Sequence, residues 1–230
     1  MTKEILKLLE ENANSRGMAN WEKNGVPGLR SFGIGLTQLK KLAKPFRNND
    51  ELADELFEKD YYDTRVFACL IWNGKTMSRD KIESIANHCE YWGLSHVFSS
   101  VTLAKSPLQK ELFDAWRKSD IATRRRLAFA IIYNLAGAKN KLDDSFFEDA
   151  LEQIRSDITT EENFVKDAMN NAVLGIGKRN PQLHQRALEI AEEIGVIEVD
   201  YGDNSCQALD VSKHLNSESL LKRLGLLTLD

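Results

Sequence analysis

The sequence is poor in the residues that build turn-dense or cross-linked folds. Only four of its 230 residues are proline and thirteen are glycine, too few for a β-sandwich or barrel and in keeping with helices joined by short loops. Its three cysteines, Cys69, Cys89 and Cys206, make neither a Cys-x-x-Cys pair nor an even disulfide framework, so a reducing cytoplasm is expected. No cleavable apolar segment follows the Lys/Glu-rich stretch from Met1 to Glu11. The most apolar run, Leu127 to Ala138, is broken by Tyr133 and Asn134 and falls short of the ~20 residues of a membrane span, which predicts a soluble chain with no membrane partner. Positive charge is not in excess either: 31 basic residues face 35 acidic ones for a formal net charge of -4. Bulk attraction for nucleic acid is thereby excluded, and any site for a polyanion must be local.

What the chain does have is apolar residues spaced for helices, with almost no period-two alternation. Hydrophobic residues make up 42% of the sequence and charged ones 29%, enough for a core under a well-solvated surface and unlike a disordered tail. Stripes recur at Ile5/Leu9, Leu36/Leu39, Leu52/Leu56, Val66/Leu70, Ile82/Ile85, Leu94/Phe98, Leu112/Trp116, Leu127/Ile131, Phe147/Leu151, Ala168/Ala172 and Ala187/Ala191. Helix starts are expected where the periodicity resumes: at the pairs Ser106-Pro107 and Asn180-Pro181, and at the capping-box spacings Ser145 with Glu148 and Thr159 with Glu162.

Internal similarity is visible when Asp63-Thr64-Arg65-Val66-Phe67-Ala68 is laid over Thr123-Arg124-Arg125-Arg126-Leu127-Ala128, which brings Arg65 onto Arg125 and Ala68 onto Ala128. A looser third copy lies at Phe164-Val165-Lys166-Asp167-Ala168-Met169. Helix pairs that recur in this way predict an all-α fold, an α-α superhelix of HEAT-like or ARM-type repeats with a concave binding face; a non-repetitive helical bundle is the alternative. Residues 1–195 are expected to form the repeat domain. Residues 196–230, whose start alternates apolar and acidic at Val196 to Val199, are expected to be a tail packed on it, within a single domain overall.

Basic residues cluster at Arg30 to Arg47, at Arg117 to Arg126 and at Lys178 to Arg186, while Glu51 to Asp63 and Asp143 to Glu162 are acidic. Most such clusters are ordinary solvated helix faces. Three adjacent arginines, Arg124, Arg125 and Arg126, cannot share one direction on a helix, so at least one is expected to meet a partner. His88, Cys89 and His96 lack the spacing and the fourth group of a zinc site, so no metal is expected. The Gly33/Gly35 and Gly175/Gly177 pairs are not followed by Gly-Lys-Ser/Thr, so no nucleotide cofactor is expected.

The ordered set of segments Ser31-Phe32-Gly33-Ile34-Gly35, Leu39-Lys40-Lys41-Leu42-Ala43-Lys44, Asp63 to Ala68, Glu90-Tyr91-Trp92-Gly93-Leu94-Ser95-His96, Arg124 to Ala128, and Phe164 to Met169 ahead of Lys178-Arg179-Asn180-Pro181 resembles the HEAT-like (AlkD-like) DNA glycosylases of alkylation repair. The resemblance runs over roughly residues 30 to 195. It implies a double-stranded DNA partner and removal of cationic alkylated purines, whose glycosidic bonds the lesion has already weakened. A Trp-Asp-x-x-Asp pattern and a second Trp would flank the sugar cation.

Matched to that pattern, Trp92 falls on the first Trp, His96 on the catalytic Asp, and Ala172 on the second Trp. Trp92 and His96 are therefore the candidate catalytic residues, with His96 a conceivable general base but no source of fixed negative charge. Arg65, Arg124, Arg125, Arg126, Lys178 and Arg179 are the candidate DNA-binding residues. The departures predict a divergent member that binds DNA with reduced or altered catalysis. A catalytically inactive binder of DNA structure and a protein-interaction scaffold are the alternatives.

Overall fold

Leucine, alanine and isoleucine at helical spacing produce helices nearly throughout. The computed structural model describes residues 1–137, 141–202 and 206–227, and among these the only extended pairing is one isolated bridge between Arg30 and Tyr61. The described residues divide into two compact units, Met1–Pro107 and Leu108–Asp230.

The first unit holds α1 (Thr2–Glu11), α2 (Ser15–Asn24), α3 (Leu36–Ala43), α4 (Asp50–Phe57), α5 (Tyr62–Ile71), α6 (Arg79–Ala86) and α7 (Trp92–Val97). A π-helical turn, Phe98–Thr102, and a short 3-10 turn, Leu103–Lys105, continue from α7. Helix α5 is the centre: α3, α4 and α7 all pack on it, and Val66 to Ile71 are buried without interruption. Trp72, at its end, donates its indole N–H to Asp54 at 2.7 Å, so the largest apolar group of the core also satisfies its polar atom. The hydroxyl of Thr102 donates to the Cys69 carbonyl at 2.7 Å and ties the π-helical turn to the same helix.

The segment Ser31 to Gly35 is held by one carboxylate. Asp63, fully buried in the first turn of α5, accepts from the Ser31 hydroxyl at 2.7 Å, the Phe32 amide at 2.7 Å and the Ile34 amide at 3.0 Å. Gly33 between them has φ +69 and lies against Gly17 of α2, where a Cβ would meet the Gly33 carbonyl oxygen at 2.1 Å. Both positions need glycine, one for its backbone and one for space.

The second unit holds α8 (Gln109–Trp116), α9 (Ala122–Leu135), α10 (Asp144–Asp157), α11 (Asn163–Gly177), α12 (Pro181–Ile194), α13 (Val211–Leu215) and α14 (Glu218–Leu224). Helices α9, α11 and α13 stack in sequence, with α8 packed on α9 and with α10 and α12 packed together and on α11. The three similar segments found in the sequence lie at the starts of α5, α9 and α11. The tail is fastened within this unit: Asn170 donates to the Leu209 carbonyl at 2.7 Å, and Leu215 lies over Gly177, where a Cβ would be 2.6 Å from its side chain. Val196 to Val199 forms no strand.

The helix starts agree with the sequence at one place and differ at three. Asn180 caps α12 by accepting from the Leu183 amide at 2.9 Å. Ser106, by contrast, is buried in extended backbone after the 3-10 turn, and α8 begins at Gln109. Helix α10 begins at Asp144, one residue ahead of Ser145, because Asp144 is anchored by Arg179 and Asn180. The Thr159 capping box does not form, since Glu162 turns to Arg125 and α11 starts at Asn163.

Candidate nucleic-acid interface

In the first unit, α7 carries Trp92 and His96 one turn apart, so both side chains project from the same side of the helix. Trp92 is half-buried and His96 exposed. The Trp92 and His96 carbonyls accept from the hydroxyls of Ser95 and Ser99, each at 3.0 Å. Such contacts with the preceding turn bend a helix locally, and here the α-helical turns give way to the π-helical one.

Next to Trp92, Gly93 makes room for Tyr62: a Cβ there would stand 2.1 Å from the phenol oxygen. Tyr62 stacks on Trp21 at 4.4 Å between ring centroids and meets Tyr91 edge-on at 5.3 Å. Burial in this aromatic cluster pushes the Tyr62 phenol well above its ordinary value. Arg65, one turn further along α5, lines a small cavity with Tyr62, His88, Glu90 and Tyr91. At about 60 Å³ this space has room for a water molecule or two and not for a base. Its guanidinium lies 5.5 Å from the Phe57 ring centroid, and its Nε is buried without a hydrogen-bond partner.

In the second unit the arginine triplet meets carboxylates. Arg125 donates to Glu161 at 2.9 Å, to Glu162 at 3.2 Å and to the Ser119 carbonyl at 2.7 Å. Arg126, its side chain 7% exposed, donates to Asp167 at 2.9 Å and to the Phe164 carbonyl at 2.6 Å, with its guanidinium 4.3 Å over the Phe164 ring. Tyr201 donates its hydroxyl to the same Asp167 at 2.8 Å, and burial together with that carboxylate drives its phenol upward. Arg124 is half-exposed. Two of the three arginines are thus engaged by carboxylates within the unit.

Arg179 is likewise fixed, donating to Asp144 at 3.3 Å, to Leu142 at 2.8 Å and to Gly137 at 3.2 Å, and lying 4.6 Å over Phe147. Lys178 differs. Its ammonium stands 5.7 Å from the Tyr133 ring centroid, with no carboxylate paired to it among the described residues. Arg223 reaches back from α14 to donate to the Lys178 carbonyl at 3.0 Å. Tyr133 and Arg223 were not singled out by spacing, and Gly175 was noted only as half of a Gly-x-Gly pair; the only trace of Tyr133 was its interruption of the apolar run.

Ala172 is fully buried, which removes it as a place where an aromatic wall could face a ligand. Its neighbour Asn171 is half-exposed and donates to the Asp167 carbonyl at 2.8 Å, so the side chain of this turn that reaches the surface is at 171, one residue before the position matched to the second Trp. Among the described residues no group of three or more His, Cys, Asp or Glu side chains is placed to hold a metal ion. Cys89 is buried with its thiol directed to the Ile85 carbonyl, while His88 packs edge-on against Phe57. No helix among these residues is long and apolar enough to cross a membrane.

The family model described as DNA alkylation repair enzyme matches residues 5–198. An uncharacterized protein of Listeria monocytogenes is 23% identical over 216 residues, covering 89% of this chain and 90% of its own length, and an uncharacterized protein of Listeria innocua matches to the same extent. A solved structure covering 97% of this chain and 95% of its own superposes with a TM-score of 0.83 at 28% identity. It is described as representing a new family of proteins related to the HEAT-like repeat DNA glycosylases with affinity for branched DNA structures. The all-α architecture is therefore the HEAT-like α-α superhelical class expected from the repeats.

Proposed function

Because the chain belongs to the DNA alkylation repair enzyme family, we propose that it is a divergent member that binds DNA, prefers branched over linear duplex, and excises alkylated purines slowly or not at all. The observation that carries the reading is His96. It occupies the exposed face of α7 one turn after Trp92, where excision calls for a carboxylate beside the developing sugar cation. A neutral imidazole supplies no fixed negative charge, and an imidazolium would oppose the cation. Losing one well-placed electrostatic contact of this kind costs about 2.7–4 kcal/mol, or roughly a hundred- to a thousandfold in rate. Affinity for branched DNA in the structural relative supports recognition of DNA shape as the activity that remains.

Phosphate contacts fall chiefly to basic groups with no carboxylate paired to them among the described residues, Lys178 foremost, with Arg65 as a further contributor. Arg125, Arg126 and Arg179 act by rigidifying the elements that carry these groups. Three free thiols and a DNA partner support a cytoplasmic location. The test pairs two assays on one preparation: fluorescence anisotropy with a four-way junction and a linear duplex of equal length, and release of methylated bases from methylated duplex. Tighter binding to the junction with negligible release is expected. Equal binding to both DNAs, or release at a rate typical of a dedicated glycosylase, overturns it.

A further inference from the structure

A pocket of about 380 Å³ opens in the second unit between the ends of α9, α11 and α14, within the roughly 300–1,000 Å³ range of small-ligand sites. Its lining combines three features. Tyr133, an exposed aromatic in the last turns of α9, gives it a flat wall. Ala136 and Leu224 give it apolar floor. Lys178, Arg179 and Arg223 give it positive charge, and no carboxylate is among the described lining residues.

Gly175 determines how the wall is set. A Cβ at 175 would lie 2.7 Å from Tyr133 Cδ2 and 3.0 Å from its Cα, so the absence of a side chain lets α9 and α11 approach until the tyrosine lies against the backbone of α11. Arg179 is locked in place by Asp144 and two carbonyls, whereas Lys178 and Arg223 have no carboxylate partner among the described residues. A flat aromatic surface beside two uncompensated cations matches a ligand that is part planar ring and part anion, and a nucleotide has that composition.

We propose that this pocket receives one unpaired nucleotide of a DNA strand, its base against Tyr133 and its phosphate between Lys178 and Arg223. The proposal rests on the DNA-binding reading above and specifies why a branch would be favoured: a junction exposes nucleotides that a continuous duplex keeps stacked and paired.

Three probes test it: a forked duplex with a two-nucleotide unpaired arm bearing a 5′-phosphate, the same fork with flush ends, and the free mononucleotide dAMP. The arm is expected to tighten binding about tenfold, the usual scale of one base–aromatic stack, and to shift the amide resonances of Gly175, Lys178 and Arg223 in ¹⁵N-labelled protein. Tyr133→Ala and Arg223→Ala, each checked for native circular dichroism, are expected to remove the advantage of the arm while leaving flush-fork affinity within about twofold. Equal affinity for the two forks, an advantage that survives both substitutions, or resonance shifts confined to other residues overturns the proposal while leaving DNA binding intact. Saturation by dAMP without any advantage of the arm also overturns it, by showing that the ligand is a free nucleotide. Failure to bind either fork is a different result, since it removes the DNA-binding reading itself.

Discussion

The Arg126 guanidinium and the Asp167 carboxylate meet at 2.9 Å with their side chains 7% and 15% exposed, joining α9 to α11, and Tyr201 adds its hydroxyl to the same carboxylate. Charges this far out of water hold together because each has the other. Removing one leaves its partner desolvated and without a counter-charge.

Arg126→Ala should therefore destabilise the protein by about 3 kcal/mol. Chemical denaturation gives the value, and a loss below ~0.5 kcal/mol would mean that the pair is solvated and contributes as little as a surface ion pair.

Binding to DNA should separate the cations by their surroundings. For Lys178→Ala, the slope of log affinity against log salt is expected to fall by about one unit, with similar loss on any sequence. Arg125→Ala, whose arginine is engaged by Glu161 and Glu162, should leave the slope unchanged. A reversed order would show that DNA displaces those glutamates.

Catalysis should respond to restoring charge. His96→Asp is expected to raise release of methylated purines, and adding Asn171→Trp should raise it further, whereas Ala172→Trp, forced into a fully buried site, should cost about 1–3 kcal/mol of stability and give no activity. If wild type already releases these bases efficiently, another set of residues performs the chemistry.

Tyr62 and Tyr201 both keep their protons in the folded chain to higher pH than in the unfolded one, Tyr62 through burial and Tyr201 through burial and the Asp167 carboxylate. At pH values above the ordinary phenol value of 10.0, the unfolded state releases protons that the folded state retains. Stability present below pH 10 is then lost as the pH rises beyond it. Urea midpoints at pH 8 and pH 11 should show the fall, and Tyr62→Phe should reduce it.

Gly93 and Tyr62 form a pair whose coupling can be measured. Gly93→Ala should destabilise through contact with the phenol oxygen by about 1–3 kcal/mol. In the Tyr62→Phe background the nearest ring atom recedes to 3.3 Å, so most of the cost should disappear. Additive effects in this double-mutant cycle would show that the ring moves aside instead.

How far the sequence reaches depends on the range of the interaction. Helical periodicity and the Asn180 cap are local, and they were legible, as was the recurrence of similar segments that lie at the starts of α5, α9 and α11. The fate of the arginine triplet was not: Glu161, Glu162 and Asp167 lie 36, 37 and 41 residues from the arginines they engage, and no spacing rule connects them. The same long-range pairing diverted Glu162 from its expected capping box. Position 171 rather than 172 faces outward because the packing of α11 on its neighbours sets the rotation of the helix, which the motif alone leaves open by one residue.

The Asp63 carboxylate gathers three donors within four consecutive residues, and two of these donors are backbone amides. Such a fastening has no half-open state, because a shift that frees Phe32 also draws the carboxylate away from Ser31 and Ile34. The amides of Phe32 and Ile34 should accordingly exchange with deuterium at a common rate, as one latch, with the Ser31 to Gly35 segment leaving its seat as a single cooperative unit.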